Sequence, residues 1–250
     1  MLEAKELLDV GDELNLYLVA NRLKPATMLY VDPRSSRLES RVAVEEEFRD
    51  KIRYDTFKLN PSDIEGFRET LFGLGVKYND WGDELVSDSW DSEGNQRDGT
   101  ISKGQKFYVG FNQKNLERLL SANEDEDFGR ALGFPEESVK AYQKMIDGER
   151  RDGSYIPVSL ARAKKSGLEL PTWLAYICFV PENLDLINGN VSPTSEALAR
   201  KYQDFVRENN PELAGRVEQQ FLDRKLPDSW EQMPHGGYSV TFEFQPSQKD

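Results

Sequence analysis

The sequence predicts an α+β fold, with a mixed sheet in its first part and a helix-rich second half. Three observations predict this class. Short β-branched and aromatic runs alternate with a helical pattern in the first part, which is typical of strands and helices that share a core. Amphipathic stretches that begin at Pro or Asn dominate the second half. Residues 238–244 alternate between polar and apolar, which predicts a closing strand that pairs back to the sheet.

Glycine, proline and capping residues divide the first part into elements. Residues 2–23 predict two short helices broken at Gly11, with Asp12 as the cap of the second. Asn60 and Pro61 begin a further helix, because a proline at the first helical position lacks only an N–H that would have no helical partner. Strands are predicted at 28–31, 52–59, 76–78 and 107–111.

Residues 79–104 are predicted to form a long acidic loop or an interdomain segment. They contain seven carboxylates and four glycines. We therefore expect an N-terminal part at 1–104 and a C-terminal part at 105–250, with a single domain carrying an inserted loop as the alternative. Trp81 and Trp90 lie in this segment. Aromatic residues in a polar loop either fold back onto the core or contact a partner, so both are candidate partner-contact residues.

The second half is predicted to be mostly helical. Asn112 and Asn210 are candidate N-caps, and the acidic run 124–127 suits a helix N-terminus because the helix dipole favours negative charge there. Two strands interrupt this pattern, an edge strand at 155–158 and a buried strand at 175–180. Predicted helices occupy 112–120, 124–132, 135–146, 192–206 and 210–221.

Composition limits the classes of partner. The 250 residues carry 45 acidic and 32 basic side chains, for a formal net charge of −13. Such a charge repels phosphate backbones and anionic lipids, so nucleic acid and membrane surfaces are disfavoured as partners. No apolar run is long enough to cross a membrane, and the first residues lack the apolar core of a signal peptide. We expect a soluble, cytoplasmic protein.

Few residues in the sequence carry recognisable catalytic chemistry. His235 is the one histidine and lies in a glycine turn, and Cys178, the one cysteine, lies in an apolar run. One cysteine and one histidine exclude an intramolecular disulfide and the usual zinc sites. Nucleotide-binding and hydrolase motifs are absent, so no cofactor is recognised. An enzyme that works through carboxylates alone stays open.

Two segments resemble an uncharacterised, mainly archaeal domain-of-unknown-function family. Residues 132–142, which begin Leu-Gly-Phe-Pro-Glu-Glu-Ser, resemble its Gly-aromatic-Pro turn, which a cysteine pair follows at a helix start. Residues 179–202, followed by Asn-Pro-Glu-Leu at 210–213, resemble its His-x-Pro-Cys turn and Ser-led helix. The resemblance covers residues 128–222.

That resemblance implies a site whose soft ligands are replaced in this chain. Glu137 and Ser138 stand at the cysteine pair, while Phe179 and Glu182 stand at the histidine and the second-motif cysteine. The chain is then a scaffold without the site, or its site uses oxygen atoms. Oxygen ligands would favour a hard divalent cation such as magnesium. The simpler explanation of Glu136 and Glu137 is an ordinary helix start at Pro135, where the helix dipole favours acidic residues.

Two functions follow as expectations. The first is a non-catalytic binding or scaffold protein, which acts through a protein partner or a small molecule, with Trp81 and Trp90 as the candidate partner-contact residues. The alternative is an enzyme of unrecognised family that uses carboxylates or a hard divalent cation, with Glu137, Ser138 and Glu182 as candidate ligand-binding residues.

Overall fold

The structure is a computed structural model in which the chain forms two compact units, Met1–Ser121 and Ala122–Asp250. The predicted α+β class with a helical second half is confirmed. Among the described residues, no helix combines the length and the apolar character needed to cross a membrane. The described residues are 7–31, 38–44, 52–58, 61–90, 96–147, 158, 160–162, 165, 167, 193–223, 226–232 and 238–241.

The described residues of the first unit form three helices and a five-stranded sheet. The helices are α1 (Val10–Ala20), α2 (Pro61–Gly73) and α3 (Gln113–Leu120). The strands are β1 (Ala26–Val31), β2 (Leu38–Val44), β3 (Ile52–Lys58), β4 (Lys77–Trp90) and β5 (Gln96–Gly110). One edge of β5 pairs with β4 along its length, and the other edge pairs with β1 and β3. The β3–β5 pair is parallel and the other pairs are antiparallel, so the sheet is mixed.

The predicted acidic loop at 79–104 is wrong, because most of this segment forms the paired strands β4 and β5. Asp and Gly are poor strand formers in isolation, but pairing and packing override that preference. The register places Glu84 opposite Lys103 along the backbone. Asp80 accepts hydrogen bonds from Arg68 at 2.7 Å and Gln105 at 3.1 Å. The expected boundary near residue 104 falls inside β5.

The first helix differs from the predicted broken pair. α1 runs through Gly11 without interruption, and Asp9 is its N-cap, with Oδ1 accepting from the backbone N–H of Asp12 at 2.7 Å. Because Asp9 takes the capping role, the Asp12 side chain is directed elsewhere. Residues 1–6, the start of the other predicted helix, lie outside the described part of the chain.

The core of the first unit lies on one face of the sheet, beneath α1 and α2. The rings of Phe67 on α2 and Phe107 on β5 meet edge to face, with centroids 4.8 Å apart. Both side chains are almost fully buried, and burial of a side chain of this size contributes about 2–3 kcal/mol. The cluster also includes Leu8, Leu16, Val19, Leu29, Val31, Leu71, Val76 and Val109.

The second unit contains four helices with described bounds and a two-stranded sheet. The helices are α4 (Asp125–Ala131), α5 (Glu136–Asp147), α6 (Pro193–Asn209) and α7 (Pro211–Leu222). The strands β6 (Ser229–Gln232) and β7 (Tyr238–Thr241) pair with each other. The closing strand is thus confirmed at 238–241, but its partner is β6 and not the large sheet. Sequence alternation shows that one face of a strand is buried, but does not name its neighbour.

Several capping predictions in both units are confirmed. The Asn112 side chain accepts from the backbone N–H of Asn115 at 2.9 Å, and Asn210 accepts from Leu213 at 3.2 Å. Val158, predicted to end an edge strand, is helical. The strand predicted at 175–180, Cys178 and His235 lie outside the described residues.

Candidate functional site

The predicted site residues fall into two separate regions. Glu137 and Ser138 lie in the first turn of α5, in the second unit. Trp81 lies in β4, in the first unit. Trp90 is the last residue of β4, and its side chain lies outside the described part, as does the whole of Glu182.

The first region joins the starts of α5 and α6. The hydroxyl oxygens of Ser138 and Ser195 are 3.1 Å apart, and both residues are buried. Beside them, the Thr194 hydroxyl donates to Glu137 Oε1 at 3.2 Å. Because each helix contributes its second and third residues, the structure brings together the two segments that carried the family resemblance.

Local sequence explains why α5 begins where it does. Gly133 has a φ of +85°, a conformation that favours glycine, and it ends α4. The N–H of Phe134 donates to the Gly129 carbonyl and the N–H of Gly133 donates to the Arg130 carbonyl, the pattern of a Schellman helix end. Arg130 then donates to both carboxylate oxygens of Glu136, at 2.9 and 3.0 Å. These hydrogen bonds lower the pKa of the Glu136 carboxyl.

The side chains of this region are better suited to holding α5 and α6 together than to catalysis. A neutral hydroxyl is a weak base, so the Ser138–Ser195 contact does not itself activate a nucleophile. A hard cation would require several oxygen ligands. Among the described residues, no group of three or more His, Cys, Asp or Glu side chains is placed to hold a metal ion. Burial and mutual hydrogen bonding suit the two serines to fixing the α5–α6 junction.

The second region is the outward face of the sheet in the first unit, on the side away from α1 and α2. Its register places Tyr30, Lys106 and Trp81 in one row across β1, β5 and β4. Met28 and Tyr108 lie in the next row. We call these five residues the Trp81 face.

Trp81 is held in place on this face and is still accessible. Its ring stacks on that of Tyr108, with centroids 4.5 Å apart and planes inclined by 29°. Trp81 nevertheless exposes 42% of its surface, and Met28 exposes 38%. Trp81 is therefore not buried in the core and does not lie in a loop; it is a partly exposed residue of a strand.

Tyr30 is fixed from both sides. A β-carbon added at Gly104 would lie 2.7 Å from the Tyr30 ring, so this ring lies directly over the glycine backbone. On the edge of β1, the backbone N–H of Tyr30 donates to Asp12 Oδ2 at 3.0 Å. Burial raises the pKa of the Asp12 carboxyl to about 7, although the Tyr30 hydrogen bond and the charge of Lys24 act in the opposite direction.

Sequence reasoning identified only part of these regions. It named Trp81 but not its companions Tyr30 and Tyr108, because β5 was expected to begin at 107. A strand extended back to residue 104 would have placed Gly104, Lys106 and Tyr108 on one face by alternation. No sequence signal indicates that the partly buried Asp12 side chain accepts from Tyr30, because Asp12 resembles an ordinary N-cap in the sequence.

Comparison of the chain with protein-family models, with curated proteins and with solved structures gives no match. The resemblance carried by residues 132–142 and 179–202 therefore stays a prediction. What the molecule binds has to be inferred from the geometry of its two candidate regions.

Proposed function

We propose that this chain is a non-catalytic binding or scaffold protein of the cytoplasm, and that its partner contacts the Trp81 face. The observation that supports this most directly is the state of Trp81, which is stacked on Tyr108 and 42% exposed. Tryptophan and tyrosine are enriched at protein interfaces, where they supply much of the binding energy. A protein partner is therefore favoured over a small molecule.

The construction of the face adds support. Phe107 and Val109 of β5 are directed into the core, so Lys106 and Tyr108, which alternate with them, are directed outward. Strand pairing holds the backbone of this face, and stacking holds the Trp81 ring. A preorganised aromatic surface loses little side-chain entropy when it binds, which favours affinity.

The alternative is an enzyme that uses carboxylates or a hard divalent cation near Glu137, Ser138 and Glu182. The contacts of the described residues favour it less. The Glu137 carboxylate accepts from Thr194, and Ser138 is buried against Ser195, so both side chains contribute to a helix junction.

The test compares three baits in extracts of the source cells: wild type, Trp81→Ala and Leu222→Ala. Leu222 is the matched control, since it is an apolar residue with 73% exposure in the other unit. We expect at least one protein to be retained by wild type and by Leu222→Ala. Its retention by Trp81→Ala should fall about tenfold or more, as expected for loss of an aromatic interface residue.

Two results would contradict the proposal. One is a retained set that is the same for all three baits while each bait keeps its melting temperature. The other is the absence of any retained protein. Glu137→Ala serves as a fourth bait, and loss of a protein or metal ion with this variant alone would favour the enzyme alternative.

A further inference from the structure

We infer that the partner is a basic, extended polypeptide segment that adds as a further strand to the outer edge of β4, beside Trp81. This inference rests on the proposed function and names the chemistry of its partner. Three observations carry it: the pairing of β4, the direction of its backbone groups and its charge.

β4 is long and is paired on one side. It spans 14 residues, and its register with β5 runs from Lys77 to Trp90. In the part of the chain that the structure describes, β5 is the one strand that pairs with β4. A strand edge presents N–H and C=O groups in a row, and an extended peptide can add to that row by backbone hydrogen bonds.

Hydrogen bonds across the sheet fix which groups of β4 face outward. The N–H of Tyr30 donates to Asp12 and the N–H of Phe111 donates to the Pro25 carbonyl. Tyr30 is therefore a non-hydrogen-bonded partner of Lys106, whose own backbone groups must be directed towards β4. Because Trp81 lies opposite Lys106, its backbone groups are directed towards β5.

The same alternation assigns the remaining residues of β4. Residues that alternate with Trp81 direct their backbone groups away from β5. An added strand would hydrogen-bond to Asp80, Gly82, Glu84 and Val86. The side chain of Trp81 would then lie next to a side chain of the added strand on the same face of the sheet.

Charge selects the occupant of this edge. β4 contains four carboxylates and one lysine, whereas β5 contains three basic residues and one aspartate. The acidic strand β4 thus lies beside the more basic strand β5, and a basic segment on the outer side of β4 would repeat that arrangement. Opposite charges across neighbouring strands stabilise pairing, and like charges oppose it.

The same charge argues against a second copy of this chain as the occupant. Each β4 strand carries four carboxylates and one lysine, so two β4 strands paired edge to edge would together hold eight carboxylates and two lysines. Natural proteins use such charges to prevent self-association of exposed edges. A heterologous basic segment meets no such repulsion.

The experiment uses the full chain and three synthetic peptides of about ten residues, the length of a long strand. The first alternates Lys and Val. The second alternates Glu and Val. The third is the Lys–Val peptide N-methylated at every residue, which keeps its charge but cannot donate backbone hydrogen bonds. Binding is measured by fluorescence anisotropy, and the site by amide hydrogen exchange along β4.

Matched variants separate the local charge of β4 from the total charge of the protein. Asp83→Asn with Glu84→Gln neutralises two carboxylates in β4. Asp204→Asn with Glu208→Gln removes the same charge from exposed positions of α6 in the other unit. Asp80 is left unchanged because it holds Arg68.

We expect the Lys–Val peptide to bind at least about tenfold more tightly than the other two peptides. The β4 variant should weaken this binding about tenfold, and the α6 variant should leave it within about twofold. Peptide binding should slow exchange of the amides of Gly82, Glu84 and Val86.

Several results would overturn the inference. Equal binding of the methylated peptide would show attraction by charge alone. Amides of Gly82, Glu84 and Val86 that are already protected in a free monomer would show that a segment of this chain covers the edge. The same protection in a dimer measured by light scattering would make a second copy the occupant.

Failure of this inference is distinguishable from failure of the proposed function. If no peptide binds but a cellular protein is still lost from the Trp81→Ala bait, the edge-binding inference is wrong and the Trp81 face remains the binding surface. If that protein is retained by Trp81→Ala as well, both proposals are wrong.

Discussion

The side-chain carboxylate of Asp12 accepts a hydrogen bond from the backbone N–H of Tyr30 at 3.0 Å and so joins α1 to the outer edge of β1. The two residues are far apart in sequence, and the contact satisfies an edge N–H that no strand takes up among the described residues. Tyr30 also contributes its ring to the Trp81 face. A partly buried carboxyl group in one helix thus supports the edge of the proposed binding surface.

The burial that raises the pKa of Asp12 predicts a pH-dependent stability. The pKa of Asp12 is about 7 in the folded chain and 3.8 in the absence of structure, so the folded state holds an additional proton between these values. The contribution of Asp12 to the free energy of unfolding should therefore be highest below about pH 4, fall by up to about 1.4 kcal/mol per pH unit as pH rises towards 7, and then level off.

Asp12→Asn isolates this contribution. The Asn side-chain oxygen can still accept from Tyr30, but it carries no charge. We expect Asp12→Asn to be more stable than wild type at about pH 8, by about 4 kcal/mol, and equally stable at about pH 4. Urea unfolding at both pH values measures the difference. Asp204→Asn, at an exposed position, is the control, and an equal shift in both variants would contradict the role assigned to Asp12.

Two glycines of β5 are predicted to be intolerant of a side chain. A β-carbon at Gly104 would lie 2.5 Å from the Val31 carbonyl oxygen, and one at Gly110 would lie 2.5 Å from the Leu116 backbone nitrogen. Because both obstacles are backbone atoms, Gly104→Ala and Gly110→Ala should each destabilise the protein by about 3 kcal/mol.

Gly215 provides the opposite expectation. It lies in α7 with open space around its added β-carbon, so Gly215→Ala should stabilise by about 0.5–1 kcal/mol through helix propensity. Thermal unfolding of the three variants tests the set. A Gly104→Ala variant as stable as wild type would contradict the close approach of the Val31 carbonyl oxygen to Gly104.

The buried hydroxyl pair predicts energetic coupling between α5 and α6. Ser138→Ala and Ser195→Ala should each cost about 1 kcal/mol of stability, because each leaves a buried hydroxyl without this partner. The double variant should cost less than the sum of the two by about 0.5–1.5 kcal/mol.

The coupling is measured as a double-mutant cycle in urea. Ser121→Ala is the control, since Ser121 is exposed at the end of α3 and its loss should change stability by less than about 0.5 kcal/mol. Strict additivity of Ser138→Ala and Ser195→Ala would mean that the two hydroxyls do not interact in solution.

Local signals predicted the helices well. Asn112, Pro135 and Asn210 begin helices for reasons that lie within a few residues of each position, and capping hydrogen bonds at both asparagines confirm this. The same local logic misplaced Asp12, because Asp9 is an equally good cap three residues earlier. Sequence alone cannot decide which of two aspartates three residues apart is the N-cap.

The sheet was harder to predict, since its strands depend on distant partners. β4 is rich in Asp and was expected to be a loop, yet its backbone pairs with β5, with Glu84 opposite Lys103 in register. β2 was not predicted at all, and among the described strands β3 is the one that pairs with it. For the candidate site, sequence indicated Trp81 by its unusual surroundings, while Tyr30 and Tyr108 required the register across three strands.

The most direct test of the central claim, that a partner contacts the Trp81 face, is site-specific photocrosslinking in the source cells. The photoreactive amino acid benzoylphenylalanine replaces Trp81 in one version of the chain and Leu222 in another. We predict a discrete crosslinked adduct from position 81, absent from position 222, in which the partner is joined through a basic segment. Equal adducts from both positions, or none from position 81 while the protein remains folded, would contradict the claim.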